Sequence, residues 1–282
     1  VSTVVFFHAH PDDEAIATGG TMARLADQGH RVVLVTATRG ELGEVPDGLL
    51  TDGETLTERR ADELAAACQI LGVSRQSFLD YLDSGMAGEE SNLHPGCFAT
   101  ADVDEAAGAL SRILVEEEAD VLVTYDEHGN YGHPDHIQVH VVGMRAADRA
   151  DTPVVYLATT NRDFFQSMAA RMADADWDPP EGSMENIGEM GEPAARLTTD
   201  VDVTDVLDRK RAAMRVHASQ ISESSFFLAM SDEMFSTVFG HEWFIRVRPV
   251  RPGGTTGIIE DELLLTADAT ADAATGATAG RP

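Results

Sequence analysis

At 282 residues, 43% hydrophobic and 24% charged, the chain is long enough to bury a full-sized core and has the composition of an ordinary globular protein, one domain with elaborations. Its formal net charge of −29, with Lys210 the only lysine among 20 basic residues, repels phosphate backbones and anionic lipid and argues against nucleic-acid or peripheral-membrane binding. There is no run of about 18 apolar residues for a membrane span, the first eight residues lack the basic and apolar regions of a signal peptide, and Cys68 and Cys97 alone make no disulfide framework, so a soluble, cytoplasmic protein is expected.

The first strand is Thr3–Phe7, because Val4-Val5-Phe6-Phe7 is too short and too rich in β-branched and aromatic residues for a helix. It runs into His10-Pro11-Asp12-Asp13-Glu14, where proline and carboxylates suit the first turn of a helix predicted over Ala15–Gln28. Gly19-Gly20 inside that helix marks close packing or approach to a ligand. A second strand over Arg31–Thr36 is followed by the long loop Gly40–Glu54, a helix over Leu56–Leu71 with Cys68 on its core face, a third strand over Ser77–Tyr81 and a second long loop, Asp83–Thr100. Connections of this length usually serve function, so both loops read as pocket walls. A helix over Val103–Glu117 and a strand over Val121–Tyr125 lead to a second polar cluster, Asp126-Glu127-His128-Gly129-Asn130-Tyr131-Gly132-His133-Pro134-Asp135-His136, in which Gly129-Asn130 mark a loop and Pro134 opens a helix to about Ala150.

Beyond a fifth strand at Val154–Leu157, the stretch Phe164–Arg196, which holds Trp177 and Pro179-Pro180, reads as a partly helical cap. A helix over Val203–His217 and a strand near Trp243–Arg248 complete a domain spanning 1–265, and the Ala/Thr/Asp/Gly-rich stretch Thr266–Pro282 reads as a disordered tail. Alternating strands and helices predict an α/β fold: a Rossmann-like, doubly wound, mainly parallel sheet. In such a sheet ligands collect at the carboxyl ends of strands, so the two polar clusters would meet on one edge and form a metal site there.

Imidazole and carboxylate together suit Zn²⁺. If the first turn points Asp12 and Asp13 apart, one is a ligand and the other a base, and spacing alone leaves them interchangeable. Two histidine pairs could chelate downstream, His133 with His136 and His136 with His140. Pro134 favours the first pair, because it sets His133 just outside the helix and His136 in its first turn, close to the sheet edge. His8 ends the first strand facing either the pocket or the core and is left out of the metal shell.

Together, HPDDE and YGHPDH resemble the LmbE-like, or PIG-L, family of zinc-dependent N-deacetylases. Both motifs match without gaps, and the likeness runs more loosely from Val1 to about Val250 through Arg60, Asp83-Ser84-Gly85-Met86 and His217-Ala218-Ser219-Gln220. The resemblance implies removal of an acetyl group from N-acetylglucosamine-type sugars or cleavage of related amides, including steps of mycothiol metabolism. It further implies one Zn²⁺ per chain, with Fe²⁺ as the alternative, held by His10, Asp13 and His136. Asp12 would be the general base, His133 and Tyr131 would donate at the oxyanion or to the departing amine, Arg60 and Asp83 would contact sugar hydroxyls, and Asp135 would orient a histidine from behind the ligands.

Within the family, Asp83–Gly88 looks like the deacetylase side, while Gly96–Ala99 and His217–Ile221 look like the mycothiol S-conjugate amidase side; a natural-product amide hydrolase is a third member reading. A different class, a non-catalytic Rossmann-like sugar- or nucleotide-binding protein, shares the sheet. It fails at the first loop, which has no GxGxxG and sets Asp12, Asp13 and Glu14 where a pyrophosphate would sit. A GxSxG elbow is also absent, and a Schiff-base mechanism has only Lys210 to use.

Overall fold

The computed structural model describes residues 1–174, 190–250, 257 and 260–264. In chain order these form β1 (Thr3–His8), a π-helical turn (Glu14–Thr18), α1 (Gly19–Asp27), β2 (Arg31–Thr38), α2 (Leu56–Leu71), β3 (Arg75–Tyr81), α3 (Val103–Glu116), β4 (Val121–Tyr125), a short turn α4 (Gly129–Gly132), α5 (Pro134–Ala150), β5 (Val154–Thr159), α6 (Arg162–Asp174), β6 (Thr199–Asp202), α7 (Leu207–Val216), α8 (Asp232–Phe239) and β7 (His241–Arg248). The seven strands make one sheet in the order β3-β2-β1-β4-β5-β7-β6. All pairs from β3 to β5 are parallel, and β7 runs antiparallel to both its neighbours. The expected α/β class and mainly parallel, doubly wound sheet are present.

Val4, Val5, Phe6 and Phe7 are fully buried, as a central strand covered by helices on both faces requires. β1 pairs with β2 on one side and β4 on the other. The chain leaves β1 for β2 and β3, then returns to β4 on the opposite flank. That reversal opens a crevice between the carboxyl ends of β1 and β4, where ligands bind in open α/β sheets.

The helix expected over Ala15–Gln28 is broken at Thr18, and a buried ion pair explains the break. In a continuous α-helix the Ile16 carbonyl would accept the Gly20 N–H. Instead that carbonyl accepts Lys210 Nζ at 2.8 Å, while Gly20 and Thr21 donate their N–H groups to the Glu242 carboxylate at 2.8 Å each. Lys210 and Glu242 also pair directly, both almost wholly buried. A lysine from α7 and a glutamate from β7 thus replace one turn of helical ladder and end the π-helical segment. Gly20 allows the close approach: a Cβ there would stand 2.5 Å from the Val203 Cβ. Its role is packing, one of the two readings the sequence left open.

Two elements were not anticipated, β6 and α8. β6 has only four residues, too few for a periodic pattern, and is held by pairing with β7. α8 is capped by Ser231, whose side chain accepts the Met234 N–H. α6 falls where a partly helical stretch was expected but starts two residues earlier, and its Phe164 and Phe165 rings pack against Trp243 of β7. Trp177, Pro179-Pro180 and the proposed tail lie outside the described residues. The chain is described again from Met190, where Gly191 donates to the Asn130 carbonyl at 2.9 Å, beside the second polar cluster. No helix among the described residues is long and apolar enough to cross a membrane.

Candidate metal centre

After β1, the His10 N–H donates to Asp13 Oδ2 at 2.8 Å and folds the turn tightly. Asp12 is held at φ 108°, a conformation that L-residues rarely adopt, with its N–H on Glu14 Oε2 at 2.9 Å. After β4, Asp126 Oδ1 accepts the N–H groups of His128 and Asn130, and Asn130 takes φ 64°. Pro134 then opens α5, and His133 caps it by accepting the Asp135 N–H on Nδ1 at 3.1 Å. That bond fixes the tautomer. A neutral His133 with Nδ1 accepting must carry its proton on Nε2.

The two turns meet. Asp13 Oδ2 lies 3.5 Å from His10 Nδ1 and 3.4 Å from His136 Nε2. Ligand atoms set about 2.0–2.2 Å from a tetrahedral ion stand about 3.3 to 3.6 Å from one another, so these separations fit the edges of such a site. His10, His133 and His136 are all buried and bring ring nitrogens within 4.8 Å of one another. The donor set of imidazoles and one carboxylate therefore fits a borderline divalent cation.

The far side of His10 is also organised. Its Nε2 faces Asp135 Oδ2 at 3.2 Å and Asp83 Oδ1 at 3.5 Å, the arrangement in which a carboxylate orients a metal-binding imidazole. Both carboxylates are already occupied: Asp135 accepts the Ser84 N–H at 3.0 Å and the Ser84 hydroxyl, and Asp83 accepts N–H groups from Gly85 and Leu42. They read as supports for His10, not as a second cation cage. A third acidic group, Glu127 and Glu192 around His128, already contains the Arg196 guanidinium, 2.9 Å from Glu127 and 2.6 Å from Glu192.

Arg60 is almost wholly buried. It donates to the carbonyls of Pro11 at 2.6 Å and Gly40 at 2.7 Å and to Asp12 Oδ2 at 3.2 Å. Its visible work is to clamp the Asp12 turn to the first pocket loop. Tyr131 stands at the mouth, half exposed, with its hydroxyl 3.5 Å from His136 Nε2. His8 is a buried core histidine, bonded to the Tyr125 hydroxyl at 2.6 Å and the Thr18 hydroxyl at 2.9 Å, and His140 donates from Nδ1 to the Tyr125 carbonyl at 2.8 Å. Neither points at the cluster of ligand atoms.

In the metal-free chain, burial and the neighbouring charges set the ionisation. Burial raises the Asp12 pKa to about 6 against the pull of Arg60. For Asp13 burial acts the same way, but His136 and His10 outweigh it and hold the carboxyl well below its usual range. His10 is raised, since Asp13, Asp135 and Asp83 overcome its burial. His133 is lowered to about 4 by burial and by the charges of His10 and His136, so it is neutral near pH 7.

Sequence reasoning gave no role to Glu14 and only a motif match to His217, yet the two form a fully buried pair, Oε1 to Nε2 at 2.6 Å. Ser84 was also missed. The signals were in view, a third carboxylate after Asp12-Asp13 and a histidine heading His217-Ala218-Ser219-Gln220, but nothing local says that they meet across 203 residues.

A family model described as GlcNAc-PI de-N-acetylase (PIG-L) matches residues 5–147. A 1D-myo-inositol 2-acetamido-2-deoxy-alpha-D-glucopyranoside deacetylase from Acidothermus cellulolyticus is 42% identical over 261 residues, covering 88% of this chain and 89% of the relative. A protein of the same name from Thermomonospora curvata is 43% identical over 266 residues, covering 86% and 89%. Among solved structures, the N,N'-diacetylchitobiose deacetylase of Pyrococcus horikoshii superposes with a TM-score of 0.54 at 23% identity over 90% of this chain and 88% of that one. A teicoplanin deacetylase in a zinc-inhibited form gives 0.58 at 19% identity over 88% and 98%. At such identities the structural likeness speaks for the fold.

Proposed function

Since the chain belongs to the GlcNAc-PI de-N-acetylase (PIG-L) family, we propose that it is a metal-dependent N-deacetylase whose substrate is 1D-myo-inositol 2-acetamido-2-deoxy-α-D-glucopyranoside, the compound in the names of its relatives. The observation that carries the chemistry is Asp13 Oδ2 seated between His10 and His136, with the Asp12 carboxyl beside them on Arg60. His10, Asp13 and His136 would hold one Zn²⁺ per chain. A divalent cation there supplies Lewis acidity and lowers the pKa of water toward neutrality.

The remaining work falls to the chain's own groups. Asp12, ionised above about pH 6, accepts the proton of the attacking water as its oxygen bonds to the acetyl carbon. The neutral His133, with its proton on Nε2, donates a hydrogen bond to the developing oxyanion, and the Tyr131 hydroxyl is a second donor. The carbon–nitrogen bond then breaks, the sugar nitrogen leaves as the amine with the proton that Asp12 took up, and acetate is released. Arg60 holds Asp12 from behind, and Asp83, buried beside His10, joins the two pocket loops through the Leu42 and Gly85 N–H groups.

The test is to load the purified protein with Zn²⁺, supply the acetylated inositol glycoside, and measure free amine and acetate. They should form in equal amounts. Faster turnover of an acetyl-lysine peptide than of every acetylated sugar offered would overturn the substrate class, and full metal occupancy in both His10→Ala and His136→Ala would overturn the ligand set.

A further inference from the structure

We propose that Glu14 and His217 act as one positioning unit for Asp12; this rests on the reading of Asp12 as the proton acceptor. Asp12 sits at φ 108°, where an L-residue is strained, so something must over-determine its backbone. Arg60 holds the Pro11 carbonyl before it and Ala15 and Ile16 donate to its carbonyl, and the contact made by its own N–H is to Glu14 Oε2 at 2.9 Å. The other oxygen of the same carboxylate, Oε1, lies 2.6 Å from His217 Nε2. Both side chains are fully buried, and a carboxylate with no access to water needs both oxygens satisfied.

His217 is itself built in. It ends α7, and its carbonyl accepts the N–H groups of Gln220 at 3.0 Å and Ile221 at 2.8 Å, which makes a rigid turn. The same turn fastens two other walls of the site. Ser219 donates its hydroxyl to Glu63 at 2.6 Å, on the helix that carries Arg60, and Gln220 donates to the Glu44 carbonyl at 3.0 Å, in the first pocket loop. One segment from late in the chain thus grips the Asp12 turn through Glu14, the Arg60 helix through Ser219, and the pocket loop through Gln220. Glu14 is a positioning residue. It reaches the reaction through the backbone of Asp12.

Removing the carboxylate should release Asp12 from its strained conformation without touching the metal ligands. Glu14→Ala and His217→Ala should each lower kcat on the order of 10- to 100-fold, as loss of an orienting partner usually does, with KM little changed and metal content full. The double variant should lose no more than the worse single one, since the pair acts as a unit. Glu14→Gln should recover part of the loss, because its amide oxygen can still accept from Asp12, while its NH₂ donates to His217 only at the cost of a proton on Nδ1, which is buried without a partner. In the metal-free protein, the downfield imidazole N–H resonance of His217 should vanish in Glu14→Gln.

The result that overturns the unit is kcat per bound metal within about twofold of the parent in Glu14→Ala and His217→Ala, or losses that multiply in the double variant. If either alanine variant fails to fold, Glu14→Leu and His217→Phe, which fill the space but offer no acceptor for Asp12 and no partner for Glu14, carry the same comparison. Asp12→Asn separates this inference from the reading it rests on. Full activity in Asp12→Asn sinks the Asp12 role itself, whereas an inactive Asp12→Asn beside a fully active Glu14→Ala sinks only the positioning unit.

Discussion

At the end of β4, the turn from Asp126 to His136 is held mainly by its own residues: Asp126 gathers the N–H groups of His128 and Asn130, and His133 caps the helix that carries His136. At the end of β1, the turn from His10 to Glu14 is held from afar, by Arg60 at a separation of 48 residues, Asp135 at 125 and His217 at 203. Both turns bring candidate ligand atoms to one point, yet the first is closed largely from within and the second largely by distant residues. The β4 half closes its turn with its own Asp126 and His133 and adds contacts from Thr159, Ser84 and Gly191, while the β1 half takes its hold from α2, α5 and the end of α7. Damage to distant residues should therefore show at the Asp12 side first.

The largest expected effect tests the point where the halves join. His136→Ala removes the β4 partner of Asp13 Oδ2, 3.4 Å away, and should strip the metal and reduce activity to background. Elemental analysis against the parent checks it. Next comes Asp12→Asn, which keeps the shape and loses the proton acceptor: the metal should stay and kcat should fall about 10²- to 10⁴-fold. Asp13→Asn should do the reverse and release metal. If Asp12→Asn loses the ion while Asp13→Asn keeps it, the two carboxylates exchange roles.

Arg60→Ala probes the long-range clamp, with a loss on the order of tenfold in kcat/KM. The direction on pH follows from the charges. Burial lifts the Asp12 pKa to about 6 while Arg60 pulls it down, so deleting the guanidinium raises it further. Asp12 must be ionised to accept a proton, and the acid limb of the kcat/KM profile should therefore move to higher pH. A limb that stays put would show that Arg60 holds the turn through the Pro11 and Gly40 carbonyls without setting the ionisation of Asp12.

The same contrast explains what the sequence could show. Both polar clusters, the strand before each and Pro134 are local features, and the parallel alternation that sets them on one edge could be read from periodicity. The partners of the β1 turn could not, because Glu14 and His217 look like a helix-start acid and a helix-end histidine until the fold joins them. Lys210 is the sharpest case. The sequence marks it only as the sole lysine of a very acidic chain, and nothing local shows that with Glu242 it lies buried and replaces a turn of helix. Arg60 likewise was expected to face a sugar, and the structure commits its guanidinium to two carbonyls and Asp12.

The smallest expected effect lies at the local turn. Asp126 is fully buried, accepting from His128 and Asn130 on Oδ1 and from the Thr159 hydroxyl on Oδ2 at 2.5 Å. Asp126→Asn keeps the oxygen that holds the two N–H groups, and the Thr159 hydroxyl can rotate to accept from the new NH₂, so stability should change by less than about 1 kcal/mol. Asp126→Ala leaves those donors unpaired in the interior and should cost about 1–3 kcal/mol, read as a lower urea midpoint with an unchanged slope. In both variants His136 remains on a helix capped by His133 and Pro134, so the metal should stay bound. Loss of metal from Asp126→Asn at full stability would show that the β4 turn, too, depends on more than its own hydrogen bonds.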